Sequence, residues 1–373
     1  MSLYVLKFGG SSVATTARIS HVADIIVEFV KKGARVVVVT SAMQGVTNRL
    51  IELTKSFTDT PFNREYDAVI SSGEQISAGL LALALNSKGI SAKSMNAWQI
   101  PITASGKHSE ACITHISRQK IFETLSQEAV PIVTGFQGIL KNGDICTIGR
   151  GGSDATACAV AKAINADECF IYTDVDGVYT ADPRVVLNAH RLNEVSYDDM
   201  IELASWGAKV LQTKSVQIAK EYNVNLRVSS SFSEGEGTKI TNQTLSTSNY
   251  GAIGIAHNID MFAIYTDVAE EQNLKLLLEP VKSVVKLFPG VCLIPKTIQS
   301  EIQATLSNAN IVAKADNDVG TVTVVGNNTA KTVYDAFNVK KTISGTRSQT
   351  FVVPLQQTLP LVATLHKTLF EET

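Results

Sequence analysis

Leu3–Thr40, LYVLKFGGSSVATTARISHVADIIVEFVKKGARVVVVT, reads as a complete strand–turn–helix–strand unit. Leu3–Leu6 is a short apolar run ending at Lys7-Phe8-Gly9-Gly10. Ser11 or Ser12 can cap a helix whose stripe Ile19, Val22, Ala23, Ile26, Val30 follows i, i+3, i+4, i+7 spacing. Gly33 ends that helix, and Arg35–Thr40 reads as a strand buried on both faces. Helical pattern then covers 64–87, interrupted at Ser71–Gly73. Strand-like pieces follow at 92–95 and 101–103, with a helix near 115–128 and a buried strand at Val130–Thr134. Ile139–Ile148 looks like a hairpin around Asn142-Gly143. A helix over Asp154–Ile164 and a strand over Glu168–Thr173 continue the alternation. The expectation is α/β: a three-layer αβα sandwich with a mainly parallel sheet.

Ser229–Ser248 (SSSFSEGEGTKITNQTLSTS) is rich in Ser, Thr and Gly and reads as a connection, so the expected domains are 1–240 and 241–373. Beyond it, shorter elements predict α+β modules, with helices near 268–279, 297–307, 329–337 and 356–370. A length of 373 residues suits two domains, and 45% apolar residues can fill both cores. Lys plus Arg (33) nearly cancel Asp plus Glu (35) with no basic stripe, which disfavours nucleic acid. The longest apolar stretch, Ile76–Leu85, is too short to span a bilayer, so no membrane partner is expected. MSLYVLKFGG lacks the charged and apolar regions of a signal peptide, so the expectation is cytoplasmic. The five cysteines never form CxxC and the six histidines lack ligand spacing, so no metal site is expected.

Two glycine-rich turns carry the chemistry. In Lys7-Phe8-Gly9-Gly10-Ser11-Ser12 the glycines let backbone N–H groups approach an anion and Lys7 adds a point charge. On that motif alone, a tight turn with a surface lysine is an equal reading. In Gly149-Arg150-Gly151-Gly152-Ser153-Asp154, Arg150 can grip a carboxylate, while Asp154 on its own reads first as a helix N-cap. Thr173–Arg184 (TDVDGVYTADPR) is a polar loop of a length uncommon unless it binds something. Glu74 alone is a helix-terminus carboxylate, Ser41–Asn48 reads as capping or a polar pocket, and Lys209 as a solvated lysine.

Taken together, KFGGSS at 7–12, Ser41–Asn48, Ser72-Gly73-Glu74, Gly135-Phe136-Gln137-Gly138, GRGGSD at 149–154, TDVDGVYTADPR and Gly207–Leu211 (GAKVL) resemble the aspartate kinases of the amino acid kinase superfamily. The resemblance implies ATP-dependent phosphorylation of the L-aspartate β-carboxylate, the first step towards lysine through diaminopimelate, threonine and methionine. It implies that Lys7, with Gly9 and Gly10, stabilises the transferring phosphoryl group, that Lys209 adds a second charge, and that Asp154 orients the lysines. Glu74 would pair the substrate ammonium, and Arg150 a carboxylate, with Ser41, Thr47 and Ser153 completing the pocket. Thr173, Asp174, Tyr179, Asp182, Arg184 and Val210 would line the nucleotide site, with Mg²⁺ held mainly by ATP phosphates. It further implies two C-terminal ACT-like modules, a lysine or threonine effector, and a homo-oligomer. The sequence departs from the family at Thr266–Glu270, which lacks a Gly/Pro-rich turn, and at Gln212-Thr213, where His-Pro is usual. A sibling kinase with another acceptor and a catalytically silent amino-acid sensor are the competing readings.

Overall fold

Strand β1 (Leu3–Phe8) alternates Leu6 and Phe8 to one face and Lys7 to the other, as period-two backbone requires. The computed structural model describes residues 1–57, 63–242, 251–266, 271–278, 285–309, 314–326 and 336–371. The chain divides into two compact units, 1–178 with 191–201 and 209–245, and 179–190 with 202–208 and 246–373.

The first unit continues with β2 (Arg35–Thr40), β3 (Ala92–Met95), β4 (Ile102–Ser105), β5 (Cys112–Ile116), β6 (Val130–Thr134), β7 (Gln137–Ile139) and β8 (Ile145–Thr147). It adds β9 (Glu168–Thr173), β10 (Glu194–Ser196), β11 (Leu226–Ser230) and β12 (Thr238–Thr241). Eight of these form one sheet in the order β10-β12-β11-β9-β1-β2-β6-β3. Its strands run parallel from β11 through to β3, and β12 pairs antiparallel with β11. Strands β5-β4-β7-β8 make a smaller second sheet.

Helices α1 (Thr16–Lys31), α2 (Val46–Lys55), α3 (Arg64–Ile70), α4 (Ser72–Ser87), α5 (Gln119–Ser126) and α6 (Gly152–Ile164) follow in chain order. Next come α7 (Tyr197–Ser205), which crosses between the two units, and α8 (Thr213–Tyr222). Leu6, Phe8, Val36, Val38 and Ile132 share a core with Ile19, Val22 and Ile26 of α1 and Ala78, Leu81 and Leu85 of α4. Helices α6 and α8 pack together, and α6 also lies against β1 and β9. Together α3 and α4 run over Arg64–Ser87, long and apolar enough by composition to cross a membrane, but half of that window is buried. The helix expected near 115–128 is shorter: residues up to 116 pair with β4 as strand, and helix begins only at Gln119.

The second unit contains β13 (Ala252–Tyr265), β14 (Lys286–Phe288), β15 (Val291–Pro295), β16 (Lys314–Gly326), β17 (Lys341–Ser344) and β18 (Ser348–Pro354). They form one antiparallel sheet ordered β14-β15-β13-β16-β18-β17, so the two α+β modules join along the long β13–β16 pair. Helices α9 (Glu271–Leu277) and α10 (Gln299–Asn308) cover one core, with Leu274, Ile302 and Leu306 against Phe262, Ile264 and Ile294. Helix α11 (Thr358–His366) covers the other, where Leu361 and Leu365 meet Val322, Val324 and Phe351. The helix expected over 329–337 and most of the departure at Thr266–Glu270 lie outside the described residues.

Two stretches upstream of residue 240 pack with this second unit. Ala181 and Val186 enter the core of Phe351 and Leu361, and Thr180 Oγ1 lies 2.9 Å from Nε2 of the fully buried His366. Glu202 Oε2 accepts from Ser348 Oγ at 2.9 Å, and the Trp206 ring stacks on Phe288 with Lys286 Nζ 3.9 Å from its centroid. Composition marks the connection near 229–248, but apolar and polar anchors from earlier in the chain decide the packing.

Leu81 is fully buried between α1 and the sheet. Leu81→Ala should destabilise the protein by about 2–5 kcal/mol, through lost burial plus a residual cavity, as read by denaturant unfolding.

Candidate active site

The carboxyl ends of β1, β2, β6 and β9 lie along one sheet edge, the usual place for ligands in open α/β sheets. A cleft of about 340 Å³ opens there, lined among others by Lys7, Gly10, Ser41, Thr47, Glu74 and Phe136. Arg150, Gly151, Ser153 and Asp154 line it too. The structure therefore gathers two of the three expected catalytic residues, Lys7 and Asp154, and all five expected substrate residues from turns far apart in sequence, while Lys209 stands outside the cleft lining.

Lys7 Nζ lies 2.5 Å from Asp154 Oδ1, and both residues are only 8% exposed. The contact is ionic rather than a well-angled hydrogen bond, because that oxygen has no hydrogen-bond partner of proper geometry. Helix α6 starts at Gly152 with Gly151 in the cap position, so Asp154 sits in the first turn and does not cap. Its charge is well placed there, close to the exposed N–H groups of the helix start. Gly9 N–H donates to Tyr172 O at 3.2 Å, and a methyl group on Gly10 would stand 3.0 Å from Ala42 O. The phosphate-type turn is thus wedged between its neighbours, and a side chain at Gly10 would crowd it. Ser12 is buried and accepts from Ser231 Oγ at 2.8 Å, while Arg18 Nη2 donates to that same hydroxyl.

Glu74 occupies the first turn of α4 and is 3% exposed. Its Oε1 accepts from Ala42 N–H at 3.1 Å, while Oε2 is buried without a partner. Burial pushes its carboxyl up to about 7, against the lowering effect of the backbone hydrogen bonds. Arg150, by contrast, is exposed at the cleft and makes no ion pair among the described residues. One buried carboxyl and one open cation thus face a common space. Phe136 lines the same space with φ +69, a left-handed conformation that a bulky residue adopts at a cost. Its backbone is pinned by Thr156 Oγ1, which accepts from Phe136 N–H, and by Ile148 N–H, which donates to Phe136 O.

The expected nucleotide residues are less gathered. Thr173 ends β9 beside β1, and its Oγ1 donates to Oδ1 of the following Asp174 at 2.9 Å. Lys209 is exposed and Val210 half-buried in the stretch before α8, and neither lines the cleft. Tyr179, Asp182 and Arg184 belong to the second unit. Arg184 donates three hydrogen bonds to Asp182, which hold that carboxyl below its usual range. Gln212 packs against Gly151, where any side chain would come within 2.8 Å.

Two residues beside the site escaped the sequence reading. Gln137 is fully buried and donates from Nε2 to Ser71 O at 2.7 Å, fixing the start of the helix that carries Glu74. Asp67 is fully buried in α3 and accepts from Ser109 and Thr147. Gln137 lies inside a conspicuous glycine motif, whereas Asp67 carries no local signal.

The chain matches the amino acid kinase family over residues 2–230. It is 51% identical over 241 residues to the aspartate kinase of Pseudomonas putida, covering 65% of this chain and 59% of that one. It is 40% identical over 328 residues to the aspartokinase of a Bacillus species, covering 88% of this chain and 79% of that one. The chain thus spans about three-fifths of the Pseudomonas relative's length. E. coli aspartokinase III superposes over 99% of this chain and 100% of its own, with TM-score 0.79 and 22% identity, in a complex with aspartate and ADP. Its complex with lysine and aspartate gives the same TM-score at 23% identity.

The folded protein protonates Glu74 near pH 7 but the unfolded chain only near 4.5, so folding binds a proton between those values. The stability that comes with this proton is present below pH 4.5 and lost as pH rises through 7. Glu74→Gln should therefore leave stability at pH 4 nearly unchanged and raise it at pH 8 by an amount on the order of 2–3 kcal/mol, as read by denaturant unfolding at both values.

Proposed function

The chain belongs to the amino acid kinase family, and on that premise we propose that it transfers the γ-phosphoryl group of ATP to the β-carboxylate of L-aspartate, giving 4-phospho-L-aspartate. The observation that carries the reading is the buried, half-partnered Glu74 carboxylate sharing a cleft with Arg150 and the Lys7–Asp154 pair. The substrate ammonium supplies the partner that Glu74 Oε2 lacks, and Arg150 holds the α-carboxylate in a two-bonded grip. Ser41, Thr47 and Ser153 complete that pocket.

The acceptor carboxylate is ionised at neutral pH and needs no general base. The difficulty is repulsion between two anions, so catalysis comes from position and opposing charge. Lys7 meets charge developing on the transferring group, with Gly9 and Gly10 presenting backbone donors beside it. Asp154 holds the Lys7 ammonium at the mouth of the two turns. Lys209 and Val210, with Thr173, Asp174, Tyr179, Asp182 and Arg184, are assigned to the nucleotide. Mg²⁺ neutralises phosphate charge in such reactions. The cation is assigned to the nucleotide, held mainly by the ATP phosphates. The second unit is assigned an effector role with lysine or threonine as ligand, supported by the lysine complex of E. coli aspartokinase III. The protein is assigned to the cytoplasm as a homo-oligomer serving lysine, threonine and methionine synthesis.

With ATP and Mg²⁺, hydroxylamine should trap an acyl phosphate from aspartate and not from glutamate; no hydroxamate from aspartate would overturn the reading. Lys7→Ala should lower kcat by roughly 10²–10³ with aspartate KM within a few-fold, since its charge acts on the transition state. Arg150→Ala should raise aspartate KM roughly 10–100-fold with ATP KM unchanged, as a lost charged hydrogen-bond pair predicts.

A further inference from the structure

We propose that Asp67 is a positioning residue for the amino-acid grip: it sets the spacing between Glu74 and Arg150 without touching substrate. The proposal rests on the assignment of those two residues to the substrate ammonium and carboxylate. Asp67 is fully buried in α3, two helical turns before Glu74. Both of its oxygens are occupied by groups far away in sequence. Oδ1 accepts from Ser109 Oγ at 2.7 Å and Thr147 Oγ1 at 3.0 Å. Oδ2 accepts from Ser109 N–H at 2.8 Å and Thr147 N–H at 2.8 Å, and His108 Nδ1 lies 3.2 Å from it.

Each partner leads directly to the Arg150 turn. Thr147 ends β8, three residues before Arg150. Ser109 is held at φ +66, and its carbonyl packs against Gly149, where a methyl group would come within 2.9 Å of it. One carboxylate thereby clamps two segments that shape the turn, and does so from the helix that leads into Glu74. At the start of α4, Gln137 supplies a second fixed point through Ser71 O. Burying a carboxylate is costly unless its lone pairs are met, and here four donors from two backbone segments meet them. An amide cannot replace it, because its NH₂ would face two of those donors. A small misplacement of a charged grip costs far more than the bond that set it, so the consequence should appear in substrate handling as well as in stability.

The test compares wild type, Thr147→Val, Thr147→Ser and Asp67→Asn in the hydroxamate assay, with thermal unfolding alongside. Thr147→Val keeps the shape and the N–H bond and loses one hydroxyl donor to the carboxylate. It should raise aspartate KM about tenfold with ATP KM and kcat within about twofold, the size of one hydrogen bond to a charged group. Thr147→Ser, which restores the hydroxyl, should return aspartate KM to within about threefold of wild type, and Asp67→Asn should exceed the Thr147→Val effect. If Asp67→Asn does not fold, the Val/Ser comparison decides alone. A Thr147→Val protein that melts lower with unchanged aspartate KM, or in which aspartate and ATP KM rise together, overturns the positioning role and leaves the kinase reading intact. A wild type that forms no hydroxamate overturns both.

Discussion

The ion pair between Lys7 and Asp154 is the constraint from which the site is built. It joins the end of the central strand β1 to the first turn of α6, and so brings the two glycine turns to one place. Period-two geometry puts Lys7 on the face opposite Leu6 and Phe8, whose burial against α1 and α4 fixes the strand's rotation. The same apolar core that stabilises the sheet therefore aims the lysine at α6. Holding such a charge with little solvent around it is costly, and the facing Asp154 carboxylate offsets that cost. What remains is an oriented cation at a sheet edge, suited to an anionic group that arrives and leaves.

The first fold unit was legible because its strands are continuous apolar runs and its helices carry clean stripes. Val36–Val39 could be little else than a parallel strand, and the glycine turns announced where the chain reverses. Cys112–Ile116 was harder: it forms a mostly exposed strand of the small sheet, without the apolar density of a core strand. The division into units was only partly legible. Ala181, Val186 and Trp206 are individually ordinary apolar residues, and only the folded chain shows that they serve the second unit's core or aromatic stack.

For the site, residues inside glycine-rich turns were visible because close backbone approach leaves a compositional mark. Glu74 became meaningful only beside the family's other motifs, since a carboxylate at a helix start has an ordinary explanation. Asp67 left no mark at all. Its partners lie 42 and 80 residues away, so nothing in its local sequence separates it from a solvent-facing helix aspartate. Side chains that organise a site from behind are chosen by three-dimensional proximity, which period and spacing do not encode.

The half-partnered Glu74 has a consequence for the thermodynamics of ligand capture. Near neutral pH a sizeable fraction of unliganded molecules hold a proton on that carboxyl. On the proposed assignment, an ammonium group settling against Glu74 favours the ionised form, and the protonated fraction gives up its proton to solvent. Binding is then coupled to a fractional proton release, so the apparent binding enthalpy carries a matching share of the ionisation heat of whatever buffer receives the proton. On that assignment the cleft would act as an exchanger, trading a bound proton for a bound ammonium, and its occupancy at fixed ligand concentration would follow the acidity of its surroundings.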